Sequence, residues 1–240
     1  MTLLRMRRVS RRGRLVALGV IGAVLVTGGV AEAVARHSAA DRFADRMERR
    51  LHTGIDVGFG PTPVMLQLAR GTFPRVEVSG QDATFRRFSG VDLEAELDDV
   101  VRTGDGLSVR DSRVTAELPH DALTAALGTV TDGAMGGAAA VTTDPATGEL
   151  VVVAGPAGRI TIGFRPVLHQ DKESIRFERT EVRIGDRVVP PGLADQLLQN
   201  ATPQEVDLTG LPLGLEPDRL SVTSTGLRLD LTGGRSTVKA

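Results

Sequence analysis

The sequence predicts an α+β fold built mainly from antiparallel strands and preceded by an apolar N-terminal segment. Three observations lead there. An arginine-rich start runs into an uninterrupted apolar stretch, apolar residues recur every second position from Ile55 to Leu231, and short stretches with a period near four interrupt them.

Arg5, Arg7, Arg8, Arg11, Arg12 and Arg14 precede a run of apolar or small residues from Leu15 to Ala31, with no acid before Glu32. Basic flank and apolar run are the marks of an export signal, and the arginines predict a cytoplasmic N-terminus by the positive-inside rule. Ala31-Glu32-Ala33 fits a small-x-small cleavage site, yet the run is longer than the roughly 7–15 residues of a signal core. Extended to Ala35, it approaches the roughly 20 residues of a membrane span. A single-pass cell-membrane anchor with the C-terminal part extracytoplasmic is the expectation, and secretion after cleavage is the alternative.

Beyond Arg14, 23 basic residues face 30 acids, a formal charge of −7. Bulk attraction to nucleic acid or to an anionic membrane surface is not expected of such a domain. There is no cysteine, hence no disulfide, thiol nucleophile or thiolate metal site. All seven aromatics are Phe, so the hydrogen-bonding platforms on which sugars and bases stack are missing.

Ala40, Phe43, Ala44, Met47 and Leu51 form one stripe of an amphipathic helix, with Gly54 as its stop. Strand alternation follows in Val76 and Val78, in Leu93, Ala95 and Leu97, in Val114 to Leu118, and in Ile160, Ile162 and Phe164. Ile175 and Phe177 are out of phase with Val182 and Ile184, which predicts a bulge over Arg179 to Glu181. Asp144-Pro-Ala-Thr-Gly148 predicts a hairpin turn. Pro119 opens a helix carrying Leu123 and Leu127, and Pro190-Pro191 opens another with Leu193, Ala194, Leu197 and Leu198 on one side. Leu211 to Leu215 reads as a turn before two last strands containing Leu220, Val222, Leu227, Leu229 and Leu231.

Reactive constellations are not apparent. His37, His52, His120 and His169 are scattered without metal-ligand spacing. Glu94, Glu96, Asp98 and Asp99 could be paired carboxylates of a glycosidase, but the even-numbered three fall on the solvent face of the strand. Gly133, Gly136 and Gly137 lack the lysine and the strand-helix frame of a phosphate loop, and Asn200-Ala-Thr202 is a short glycosylation match followed by Pro203. A chain of this kind is a binder. If inward aliphatics line a groove, the natural ligand is an acyl chain, at roughly 0.8 kcal/mol per buried methylene; periodicity alone does not separate that groove from a filled core.

Ile55-Asp-Val-Gly-Phe59, Pro63 to Leu68 and Arg70 to Val78 (read as a strand pair), the alternation from Val91 through Leu118, and Leu211-Pro-Leu-Gly-Leu215 through Leu231 together carry a resemblance. With them the chain resembles the LmeA-like phospholipid-binding cell-envelope family of actinobacteria. That resemblance implies a strongly curved antiparallel sheet wrapped around helices, similar to the tubular lipid-binding proteins. It also implies phospholipid binding, a supporting role in lipoglycan or cell-wall assembly, and no catalytic residue. The expected organisation is a basic segment over residues 1–14, a signal-anchor or signal peptide over 15–35, and one lipid-binding-like domain over 36–240. Alternation nominates Val64, Leu66, Leu68, Phe73, Val76, Val78, Ile160, Ile162, Phe164 and Phe177 as the lining for lipid tails. Phospholipid and the membrane are the expected partners, with no cofactor. An envelope scaffold that binds a protein is the second reading, and a divergent envelope hydrolase the third.

Overall fold

The computed structural model describes residues 32–41, 54–85, 88–104, 106–125, 140–155, 159–169, 171, 173–197 and 205–239. The Leu15 to Ala31 run, most of the helix expected to end at Leu51, Leu127, the Gly133 to Gly137 loop and Asn200 to Thr202 lie outside the described residues.

Antiparallel pairing dominates, as the alternation predicts. One sheet has the order β1 (Ile55–Gly58), β2 (Thr72–Phe85), β3 (Phe88–Thr103), β5 (Asp111–Pro119), β13 (Gly226–Gly233) and β12 (Leu215–Val222). Its β4 (Gly106–Val109) pairs with β3 and with β14 (Ser236–Lys239), a polar strand that the sequence did not suggest. The second sheet runs β10 (Arg187–Val188), β9 (Ser174–Ile184), β8 (Ile160–Leu168), β7 (Glu149–Ala154) and β6 (Ala140–Asp144), with β11 (Val206–Asp207) on β9. Neither sheet closes into a barrel.

Four helices are described: α1 (residues 32–41), α2 (Val64–Arg70), α3 (residues 120–125) and α4 (Pro191–Leu197). Among the described residues sheet packs against sheet: Leu227, Leu118, Leu220 and Val222 of the larger sheet pack with Leu150, Val152, Ile162, Phe164 and Val182 of the smaller. A second shared cluster joins Ile175, Leu168 and Phe177 to Leu229, Leu231 and Val114. The turn before β12 is a 3-10 turn over Pro212–Gly214, as expected in place.

The larger sheet is creased. Pairs on either side of the break put Pro74, Asp99, Arg110 and Arg235 directly opposite one another across β2, β3, the β4–β5 junction and the β13–β14 junction. Each strand changes the face it buries at this rung. Phe73 and Val76 point inward, as do Leu97 and Val100, and Val109 and Ser112, each pair three residues apart instead of two. Asp99 adopts φ 48° there, and its carboxylate pairs with Arg110. The crease supplies the curvature, and its hollow holds Phe59, Val64, Val76, Leu97, Val100 and Val109.

One expectation for this region is corrected. Val64, Leu66 and Leu68 lie on a helix and not on a strand: Pro63 has no amide proton to leave unbonded at the helix start, and Gly71 at φ 65° caps its end by donating to Gln67 and Leu68 carbonyls. Four of the five residues from Val64 to Leu68 are apolar, and so short an apolar run does not separate a strand from a helix. Residues 32–35 are helical, within α1.

In the smaller sheet, Gly163 faces the expected bulge, where Ile162 and Phe164 pair with Val182 and Arg179, so that three steps on β9 match two on β8. A Cβ on Gly163 would stand 2.4 Å from Thr180 Oγ1. The Asp144–Gly148 turn also forms as expected, with the Ala146 amide donating to Asp144 Oδ1 at 3.0 Å and Gly148 at φ 69°. Gly163→Ala should lower stability by about 1–3 kcal/mol through overpacking, read as a reduced urea midpoint with unchanged slope.

Candidate lipid-binding site

The ten nominated residues divide between two places. Val64, Phe73, Val76 and Val78 belong to the creased end. Ile160, Ile162, Phe164 and Phe177 belong to the core between the sheets. Leu66 and Leu68 join neither, being 41% and 46% exposed on the outer side of α2.

The second group lies under an opening. The β9–β10 hairpin continues past Val188, with the Val189 amide donating to Val182 O at 2.8 Å. Pro190 then accepts from the Leu193 and Ala194 amides, which starts α4. Asp195 on α4 contacts the Arg179 guanidinium, so the helix is clasped to the bulge of β9. Between hairpin and helix lies an open pocket of about 410 Å³, within the roughly 300–1,000 Å³ of ligand sites. Ile184, Val188, Val189, Pro190 and Leu193 make its walls, with Arg187 and Gln196 the polar members. Ile184, Val188 and Leu193 are 46%, 57% and 55% exposed.

Leu193 is thus not on the buried side of its helix, where the sequence pattern puts it; Ala194 is. Val189 and Ala194 continue inward to Ile160, Ile162, Phe164 and Phe177, so the apolar walls of the opening are continuous with the core. Ile162 and Phe164 themselves are fully packed, whereas Ile160 and Phe177 are half-buried. Ile184 was legible as a strand residue, but Val188 and Leu193 were not nominated, because the hairpin that sets them side by side is a tertiary feature.

The other chemistry-bearing groups have structural partners. Arg75 and Arg113 alternate with Glu96 and Asp98 across β2, β3 and β5, with Arg75 to Glu96 at 2.8 Å and Arg113 to Asp98 at 2.9 Å. The bonds from Glu96, and then the charges of Glu96 and Asp98, push the Arg113 guanidinium further toward its charged form. His120 Nε2 is 2.8 Å from Thr143 Oγ1, and His169 lies 2.9 Å from Asp171. Among the described residues no group of three or more His, Asp or Glu side chains is placed to hold a metal ion.

The family model described as LmeA-like phospholipid-binding matches residues 26–232. The chain belongs to that family. No match was found among curated proteins or among solved structures. For a member of the LmeA-like family an apolar opening continuous with the core is the feature that bears on lipid binding, the activity by which the family is described. Phe164→Ala should cost about 3–5 kcal/mol, measured by denaturant unfolding, because the ring is 2% exposed and fills the core directly beneath that opening.

Proposed function

We propose that this chain is a non-catalytic phospholipid-binding protein of the cell envelope that shelters an acyl tail between the β9–β10 hairpin and α4. The observation that carries the reading is the aliphatic wall of Ile184, Val188 and Leu193 running inward through Val189 to Ile160, in a chain that belongs to a phospholipid-binding family. Three large aliphatics held 46–57% exposed around one opening are costly to leave in water; a tail laid against them recovers roughly 0.8 kcal/mol per methylene. Arg187, on the rim, is placed to meet a phosphate.

The Arg-flanked run before residue 32 supports membrane anchorage, with the folded part extracytoplasmic and secretion after cleavage as the alternative. Among the described residues no helix is long and apolar enough to cross a membrane. A supporting role in lipoglycan or cell-wall assembly belongs to this proposal, resting on the family alone.

Val188→Asp and Leu193→Asp test the site without touching the core, since both side chains are largely exposed. With the full chain extracted from a membrane-containing host, native mass spectrometry should find phospholipid on the parent protein and at least about tenfold less on either variant, a loss of about 1.4 kcal/mol. Lipid-free parent protein that stays so after incubation with phospholipid vesicles would overturn the proposal and favour a scaffold that binds protein.

A further inference from the structure

The short helix α2 is inside out. Its polar Gln67 is 2% exposed, with Nε2 donating to Thr62 O at 2.7 Å, while Met65, Leu66 and Leu68 are 55%, 41% and 46% exposed. At about 100° per residue, Leu68, Met65, Ala69 and Leu66 follow one another around an arc of about 160°, all of it apolar and outward. A surface helix in water shows the reverse pattern.

The chain itself indicates what this face meets. Glu32, the first residue after the apolar run, accepts from the Val64 and Met65 amides, the latter at 3.2 Å. Arg36 donates to the Phe59 and Gly60 carbonyls at 2.9 and 3.1 Å. Ala39 and Ala40 pack onto the cluster that holds Val64. Glu32, which follows the apolar run directly in sequence, is therefore held on α2, and Val34, 61% exposed, lies two residues further along α1. Arg70 follows Leu66 around the helix, just past the apolar arc, and Arg102 lies at the C-terminal end of α2, where its amide donates to Gly71 O at 2.8 Å. An outward apolar arc bordered by basic residues, at the place where a bilayer-length apolar segment joins the fold, matches the interfacial zone of a bilayer.

We infer that α2 is a second membrane contact: Met65, Leu66 and Leu68 lie in the headgroup–acyl boundary of the bilayer into which residues 15–31 insert. This rests on the membrane reading of that run, and it is independent of tail binding at α4.

Because the chain has no cysteine, single labels are unique. The full chain carrying an environment-sensitive fluorophore at Leu66→Cys, at Ala23→Cys within the apolar run, or at Ala146→Cys in the exposed β6–β7 turn is reconstituted into phosphatidylcholine vesicles, with and without phosphatidylglycerol. Lipids spin-labelled at shallow and at central depth then serve as quenchers. The expected result is a blue shift and quenching at position 66 several-fold stronger than at 146, with position 23 also quenched. Quenching at 23 with position 66 as exposed as 146 overturns the contact and leaves the embedded run standing. No quenching at 23 or 66 removes the membrane reading and the contact with it. A blue shift at 66 without lipid quenching also overturns it, since protein then covers the face.

Discussion

A β-strand turns alternate side chains to opposite faces, so one extra residue in one strand would send everything beyond it into water. The larger sheet places that extra residue at the same rung in four neighbours, at Pro74, Asp99, Arg110 and Arg235, and all four turn together. The sheet folds over its own apolar face without exposing it. The creased end depends on this agreement: the hollow that receives Val64 and Phe59 exists only because Val76 and Leu97 on one side and Phe73, Val100 and Val109 on the other converge. Proline brings no amide proton to leave unpaired at the rung, and the Asp99–Arg110 pair fastens the middle.

α1 and α2 depend on the hollow in turn. The carboxylate of Glu32 is held below its ordinary range, first by the bond from the Val64 amide and then by those from Met65 and the charge of Arg36, against the opposing effect of burial. A depressed folded-state value means that this bond contributes at neutral pH and fades as the pH falls through the carboxylate range. The junction between the apolar run and the fold is thus electrostatic at one point and apolar at another.

Much of this was legible. Period-two runs located the strands, Ile175, Phe177, Val182 and Ile184 gave away the bulge, and Asp144 to Gly148 gave away the turn. The crease was written in the same code, as Leu97 followed by Val100 and Leu107 and Val109 followed by Val114, but a phase change in one strand gains meaning only once its neighbours are known. α2 reads as a strand because its apolar run is too short to show a period and its outward face is apolar, which removes the polar stripe that marks a helix. The nominated residues divide between two packed clusters for a related reason: alternation reports which way a side chain points, whereas an opening lies where packing stops, as it does where the β9–β10 hairpin and α4 meet.

The outer strand β12 shows a further consequence of sequence placement. It ends the larger sheet, and an open row of amides and carbonyls there would invite another chain to add itself. Pro217 withholds a donor in its middle, and the register slips between Pro217 and Arg219. Both features spoil the template on which cross-chain ladders grow. A protein with outward aliphatic side chains such as Leu66 and Val188 is thereby guarded along this edge, where the side chains stay adhesive while the backbone does not.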